Sequence, residues 1–381
     1  MDTIIRLFGS GASLLLTPLG FIFVLTIVVF FHELGHFLVA RWCGVAVKTF
    51  SIGFGPEIVG RTDSKGTRWR LSWIPLGGYV KFIDDDNVAS AGSRKTLEEL
   101  SPAERKVSFQ GKPVAARAAI VAAGPIANFL LAIAIFTGIF ALYGEYVTEA
   151  KVDIVNSGSA AEKAGFHPGD LVVSIDGQKI QSFAEMQRIV STSPDQALSF
   201  GVVRDGKPIT IVATPERKEL TDHFGNTMHI GLLGIQRSAS PGDWSVKRHN
   251  PATAFVTAVK EVYFVISRSL GYLYDVVTGR EAADQLGGPI RIAQLSGQVA
   301  TIGFIPLLNF AAVISVSIGL INLFPIPMLD GGHLLFYGIE ALRGRPLSEG
   351  TQEIGFRIGL AFVLMLMIFA TWNDLIHMMF S

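Results

Sequence analysis

The sequence predicts a polytopic α-helical membrane protein with about four transmembrane helices, a membrane-associated β-hairpin and one small inserted α+β domain. Three observations predict this. Only 17% of the 381 residues are charged, well below the roughly 25% usual in soluble domains, and mean hydropathy is +0.43. Four apolar segments are long enough to approach or cross a hydrocarbon core of about 30 Å. Between the second and third lies a polar stretch of short alternating strands with turn signals.

The first apolar segment covers about 10–40, and from Leu7 to Phe31 it holds no charged side chain. It follows only Arg6 and lacks a small-residue cleavage pattern, so it reads as an uncleaved span. The second is Ala118–Gly144. The third lies within the uncharged stretch Ile292–Leu329, with its spanning part expected at 303–324. The fourth, Ile358–Asn373, is short, but Arg357 can snorkel and the tail Leu375–Phe380 is apolar again. The expected order is 1–42 first span, 43–114 hairpin and loop, 115–144 second span and 145–235 inserted domain. Then follow 236–300 amphipathic helix and linker, 301–332 third span, and 333–381 loop and fourth span.

Lys and Arg near the span ends set the expected orientation. Arg41, Lys48, Arg105, Lys106, Lys112 and Arg117 flank the first loop, and Arg343, Arg345 and Arg357 the third. The positive-inside rule therefore puts both loops in the cytoplasm and the inserted domain outside. Net formal charge is zero and no basic stripe occurs, so no nucleic-acid partner is expected. The single cysteine, Cys43, excludes an internal disulfide framework and a Cys-rich zinc site.

Val45–Gly60 and Thr67–Phe82 alternate, are rich in aromatic and β-branched residues, and flank the turn Asp63-Ser64-Lys65-Gly66. They predict a β-hairpin or small sheet beside the first span. Residues 83–114 are polar, with one short helix expected at Leu97–Lys106, and the acidic run Asp84–Asp86 reads as a solvated loop. In 252–278, charges at Glu261, Arg268 and Asp275 draw one polar stripe on an otherwise apolar helix. It suits a helix lying in the outer interface, with a fifth transmembrane helix as the alternative.

The chemistry is carried by His32-Glu33-Leu34-Gly35-His36 at the end of the first span. Residues four apart share a helix face, so both imidazoles can bind one zinc, and Glu33 lies beside any water there as a general base. Ionisable groups beside an apolar span are costly unless they serve a site. A third ligand is still needed. Asp330 supplies a candidate at the end of the long uncharged stretch, where Pro325 and Pro327 break the helix and Gly331-Gly332 allow a sharp turn. Topology carries it to the same side as His32 and His36. His333 is a rival, less favoured because a metal at this depth needs neutralising charge. Asn128 and the small residues around Gly124 suggest close helix packing.

Residues about 147–215 resemble a PDZ domain, chiefly through S-x-A-x-x-A-G-x-x-P-G-D (Ser159 to Asp170) and Ile175-Asp176-Gly177. That resemblance implies strand addition by an extended peptide. H-E-L-G-H, A-G-P-I-A-N at 123–128, an outer PDZ-like domain and N-x-x-P-x-P-x-L-D-G-G at 322–332 together resemble the site-2 protease family, in its bacterial RseP-type branch of intramembrane zinc metalloproteases. The resemblance covers essentially the whole chain, but with one PDZ domain where the best-known members have two. It implies Zn2+ on His32, His36 and Asp330, Glu33 as general base, and Asn322 holding substrate or a developing oxyanion. It implies that Gly77, Gly78, Tyr79 and Val80 pair with an unwound substrate. The implied location is the bacterial inner membrane, with the PDZ domain periplasmic. The implied partners are single-span membrane proteins such as anti-sigma factors, first cut by a site-1 protease, with a peptide or pre-cleaved terminus at the PDZ domain and the lipid bilayer around. A non-catalytic PDZ scaffold is the rival reading, and a metal transporter a weaker one.

Overall fold

The computed structural model describes residues 2–84, 100–221, 227–237, 245–279 and 287–380. Part of the expected surface segment, 85–99, lies outside the described residues. The chain divides into two compact units. The first holds 1–137, 255–267 and 287–374, the second 138–254, 268–286 and 375–381. Elements are labelled in chain order.

In the first unit, helix α1 (Asp2–Trp42) leads into strands β1 (Val47–Thr62) and β2 (Arg68–Phe82), then short α2 (Pro102–Val107) and long α3 (Val114–Leu142). Further along the chain come α6 (Pro251–Val277), α7 (Pro289–Ile302), α8 (Phe304–Asn322), α9 (Asp330–Arg343) and α10 (Glu349–Phe380). Among the described residues four helical stretches are long and apolar enough to cross a membrane: Leu16–Trp42, Val114–Leu142, Phe304–Asn322 and Gly350–Leu375. The shortest has 19 residues, about 28 Å at the helical rise of about 1.5 Å per residue. The chain is an integral membrane protein. Helix α6 is not among these four stretches and carries an apolar stripe of Phe255, Val259, Tyr263, Leu270 and Tyr274, all exposed.

Helices α1 and α3 cross at Gly35, where any Cβ would collide with the carbonyl of Ala123 and the methyl of Ala127. That close crossing sets the two backbones side by side at the level of the histidines, as small residues do between membrane helices. Hydroxyl Ser315 on α8 donates to the carbonyl of Asn128 on α3 at 2.9 Å. On α9, Glu340 pairs with Arg117 of α3 at 2.6 Å, both side chains largely buried, and the guanidinium also lies 4.9 Å from the Tyr337 ring.

Strands β1 and β2 pair antiparallel, and their long halves double back so that Phe50 lies opposite both Val80 and Trp69. The turn is held by Asp63, whose carboxylate accepts from the backbone N–H groups of Lys65 and Thr67. It also accepts from Arg41 at the end of α1 at 2.5 Å and from the Trp69 indole. These donors hold the carboxyl at about 2 against the upward pull of desolvation. Phe37 meets Phe50 and Trp69 edge-on, while Phe50 and Trp69 are tilted by 32° to each other, with centroids 4.4–5.5 Å apart. The hairpin is thus fastened to the histidine-bearing helix by its own alternating aromatics and by one ion pair.

Three features of this unit differ from sequence expectation. Residues 289–300, expected as linker, belong to α7, whose first amides at Gly288 and Arg291 donate to the buried carboxylate of Asp374. Residues 333–343, expected as loop, and 330–332, expected as the end of the third span, together form α9. Gly331 and Gly332 accordingly lie in the first turn of that helix instead of making a sharp bend, and their missing side chains leave room for the carbonyls of Leu323, Phe324 and Ile326.

The second unit centres on a four-stranded antiparallel sheet in the order β6-β5-β7-β8. Its strands are β5 (Leu171–Ile175), β6 (Gln178–Lys179), β7 (Leu198–Arg204) and β8 (Lys207–Ala213), with helices α4 (Ala160–Ala164) and α5 (Phe183–Ser191). Ser159 and Ser182 cap the two helices by accepting from the amides of Glu162 and Glu185. Alternate residues Val172, Ile175, Phe200, Val202 and Ile211 turn inward with Phe166 and Met186 to form the core. Asp170 is fully buried and takes both nitrogens of an Arg204 fork at 2.7 Å. Additional pairings involve β3 (Glu145–Val147) with β12 (Ser245–Lys247), β4 (Ile154–Val155) with β11 (Ile235–Gln236), and β9 (Glu216–Thr221) with β10 (Thr227–Leu232).

Candidate metal centre

Helix α1 places His32 and His36 one turn apart, with ring centroids 4.8 Å apart and planes nearly perpendicular. Their Nε2 atoms approach to 3.2 Å. Oδ2 of Asp330, the first residue of α9, lies 3.2 Å from Nε2 of His32 and 3.5 Å from Nε2 of His36. Among the described residues these three are the one group of His, Cys, Asp or Glu side chains that could hold a metal ion. A tetrahedral zinc with bonds of about 2.0–2.1 Å has ligand atoms about 3.3 Å apart. The observed triangle has that size. Moreover, Oδ2 of Asp330 is buried without a hydrogen-bond partner among the described residues, so the donor set fits zinc.

The surroundings follow from the same crossing of helices. The second nitrogen of each imidazole faces α3: Nδ1 of His36 donates to the carbonyl of Ile120 at 2.9 Å, and Nδ1 of His32 lies 3.2 Å from the amide of Asn128. Gly124 stands against the ring atoms of both histidines, leaving no room for a Cβ. Sequence reasoning gave Gly124 and Asn128 a packing role only. The structure brings both into contact with the imidazoles, and the A-G-P-I-A-N motif was the available signal.

A cavity of about 370 Å³ opens on this cluster, lined by His32, Glu33, His36, Asp330 and Asn322 together with Gly78, Tyr79 and Val80 of β2. The backbone N–H of Val80 donates to the Glu33 carboxylate. Gly77 is not on the cavity wall but stands one residue away with φ +121°, beside the Phe54 ring. His333 lines the cavity yet is not in the metal-competent group; its ring lies 5.2 Å from Phe356 and 6.4 Å from Tyr337. Of the two candidates, only Asp330 lies within reach of both histidines.

Two imidazoles, a carboxylate and an adjacent glutamate around one cavity make the donor set and base of a zinc hydrolase, here within an integral membrane protein. Comparison with known proteins narrows that class. The family model described as Peptidase family M50 matches residues 20–366, and the chain belongs to this site-2 protease family. It is 50% identical over 355 residues to "Putative zinc metalloprotease Atu1380" of Agrobacterium fabrum, covering 93% of this chain and 94% of that one. A protein of Rhizobium meliloti with a corresponding name is 50% identical over 93% of this chain and 95% of its own length. "Metalloprotease MmpA" of Caulobacter vibrioides is 39% identical over 95% of this chain and 96% of its own. The chain is a membrane zinc metalloprotease.

Proposed function

We propose that the protein is an intramembrane endopeptidase that cleaves the transmembrane segment of single-span membrane proteins, such as anti-sigma factors already cut outside the membrane by a site-1 protease. The observation that carries this reading is the ligand-atom triangle of 3.2, 3.2 and 3.5 Å among His32, His36 and Asp330, on a helix apolar enough to span the bilayer. In it, those three residues hold zinc, which when bound polarises a carbonyl and lowers the pKa of water.

Glu33 takes the proton of the attacking water and passes it to the leaving amine. Its place in the same cavity supports that role. Asn322, at the end of α8, donates to the developing oxyanion, a contact worth about 3 kcal/mol in other hydrolases. The substrate segment unwinds and lies as a strand along Gly77–Val80, because a helical peptide bond is shielded by its own hydrogen bonds and an edge strand offers unpaired backbone groups. Cavity walls formed by Gly78, Tyr79 and Val80 beside Glu33 support that path.

The second unit serves as a PDZ-like domain, in the 145–235 segment, that binds or screens a pre-cleaved terminus; its four-stranded sheet and two capped helices support this reading. The charge bias of the loops supports an inner-membrane protein with the metal site toward the cytoplasm and this domain in the periplasm. Residues 252–278 then lie along the outer interface, supported by the exposed apolar stripe of α6.

Purified Glu33→Gln protein is expected to keep stoichiometric zinc and to lose cleavage of a single-span reporter. Undiminished cleavage by this variant would refute the mechanism. A non-catalytic scaffold would instead hold its partner equally well with or without zinc.

A further inference from the structure

The two imidazoles are held from behind by α3 in chemically unequal ways. The partner of His36 Nδ1 is the carbonyl of Ile120, which only accepts. His36 therefore carries its proton on Nδ1 and keeps the lone pair of Nε2 for the site. The partner of His32 Nδ1 is the carboxamide of Asn128, with Nδ2 placed at 3.2 Å; the group can accept through Oδ1 or donate through Nδ2. A ligand imidazole needs Nδ1 protonated, and hence an acceptor beside it. Asn128 has one to offer. Its Oδ1 is buried without a hydrogen-bond partner among the described residues, in a residue with no exposed surface. Half a turn about Cβ–Cγ exchanges the amide oxygen and nitrogen with almost no change of shape, and sets Oδ1 against Nδ1 of His32.

We infer that Asn128 is the positioning residue of His32. Its carboxamide oxygen accepts the Nδ1 proton, fixes the tautomer whose Nε2 lone pair faces the metal, and holds the ring plane. Packing alone does not require an amide here. Leucine has the same branched skeleton of heavy atoms, and a buried polar side chain within a membrane span is costly unless it serves a site. The backbone at this position is held independently, since Asn128 offers its carbonyl to Ser315 on α8, leaving the side chain to follow the imidazole. The inference rests on His32 being a zinc ligand.

The test uses the purified full-length protein in detergent, with zinc Kd measured by chelator competition and cobalt(II) absorption as a reporter of ligand geometry. Asn128→Leu is expected to weaken zinc about 10–100-fold, the usual effect of losing a partner of a ligand histidine, and to alter the cobalt bands. Asn128→Asp, which keeps an acceptor oxygen, is expected to retain affinity within about threefold, short of the loss expected for a removed partner. A leucine variant that binds zinc like the parent, with the same cobalt spectrum, overturns the inference. So does an aspartate variant that loses tenfold or more, and this second arm decides alone if the leucine variant does not fold. His32→Ala separates the two levels. If it keeps full zinc affinity, the ligand assignment itself fails; if it loses zinc while Asn128→Leu does not, only the role of Asn128 fails.

Discussion

Gly124 and His36 touch so closely that a Cβ at position 124 would overlap Nε2 of the imidazole. A glycine in the middle of α3 costs helix stability of about 1 kcal/mol relative to alanine. That cost is offset by what it admits, two imidazoles seated directly against a neighbouring helix. Gly124→Ala is therefore expected to raise helix propensity and still abolish stoichiometric zinc, with proteolysis lost in proportion. Metal analysis of the purified variant beside its thermal melt checks both halves of the statement.

Asp330 and His333 sit one helical turn apart on α9, but only Asp330 reaches the ligand triangle. Asp330→Ala is expected to lose zinc, whereas His333→Ala keeps it at full stoichiometry. Loss of zinc in the His333 variant would move the third ligand to that residue. Any effect of His333→Ala should appear in KM or kcat through the cavity wall it shares with Tyr337 and Phe356.

The helix that carries Asp330 is tied to α3 by Arg117 and Glu340 at 2.6 Å. Arg117→Leu leaves a largely buried carboxylate without its cation, a change expected to cost about 3 kcal/mol. It also frees the far end of α9. The variant should therefore melt earlier and hold zinc more weakly than the parent. Arg117→Leu paired with Glu340→Leu should recover much of the stability, because the uncompensated charge is gone. Thermal denaturation of the single and double variants measures the coupling.

In the second unit, burial pushes the Asp170 carboxyl up, but the Arg204 fork and the His167 amide outweigh it and hold the group below the usual carboxylate range. A depressed folded pKa contributes stability that is complete above the unfolded value of about 3.9. That contribution is lost as pH falls through the folded value. Asp170→Asn is expected to cost about 3 kcal/mol near neutrality. The gap between parent and variant should close as the solution is taken below about pH 4. Denaturation midpoints across that range test the sign. A gap that widens in acid would contradict it.

Much of the architecture is written in local patterns. Helical spacing alone puts His32 and His36 on one face, and an uncharged run alone makes their helix a span. Alternation and an Asp-Ser-Lys-Gly turn specify the hairpin, and serine caps with Asp-Gly turns specify the inserted sheet. These features depend on residues within one or two turns of each other, so the order of side chains suffices to read them. Helices α7 and α9 were less legible. The uncharged run Ile292–Leu329 does not reveal that its part before Gly303 is a helix of its own, and Gly331-Gly332 look like a turn until a neighbouring backbone is seen to fill their space.

What the sequence by itself determined is the set of groups available: two imidazoles and a glutamate on one apolar helix, and a short list of candidate third ligands. Tertiary structure decided which atoms meet. Asp330 and not His333 stands beside both histidines, because the first residue of α9 is the one within reach of both Nε2 atoms. Asn128 was brought to His32 across 96 residues of chain, by a helix crossing that Gly35 permits. Local patterns carry no information about such meetings, because they depend on how apolar helices find their closest packing.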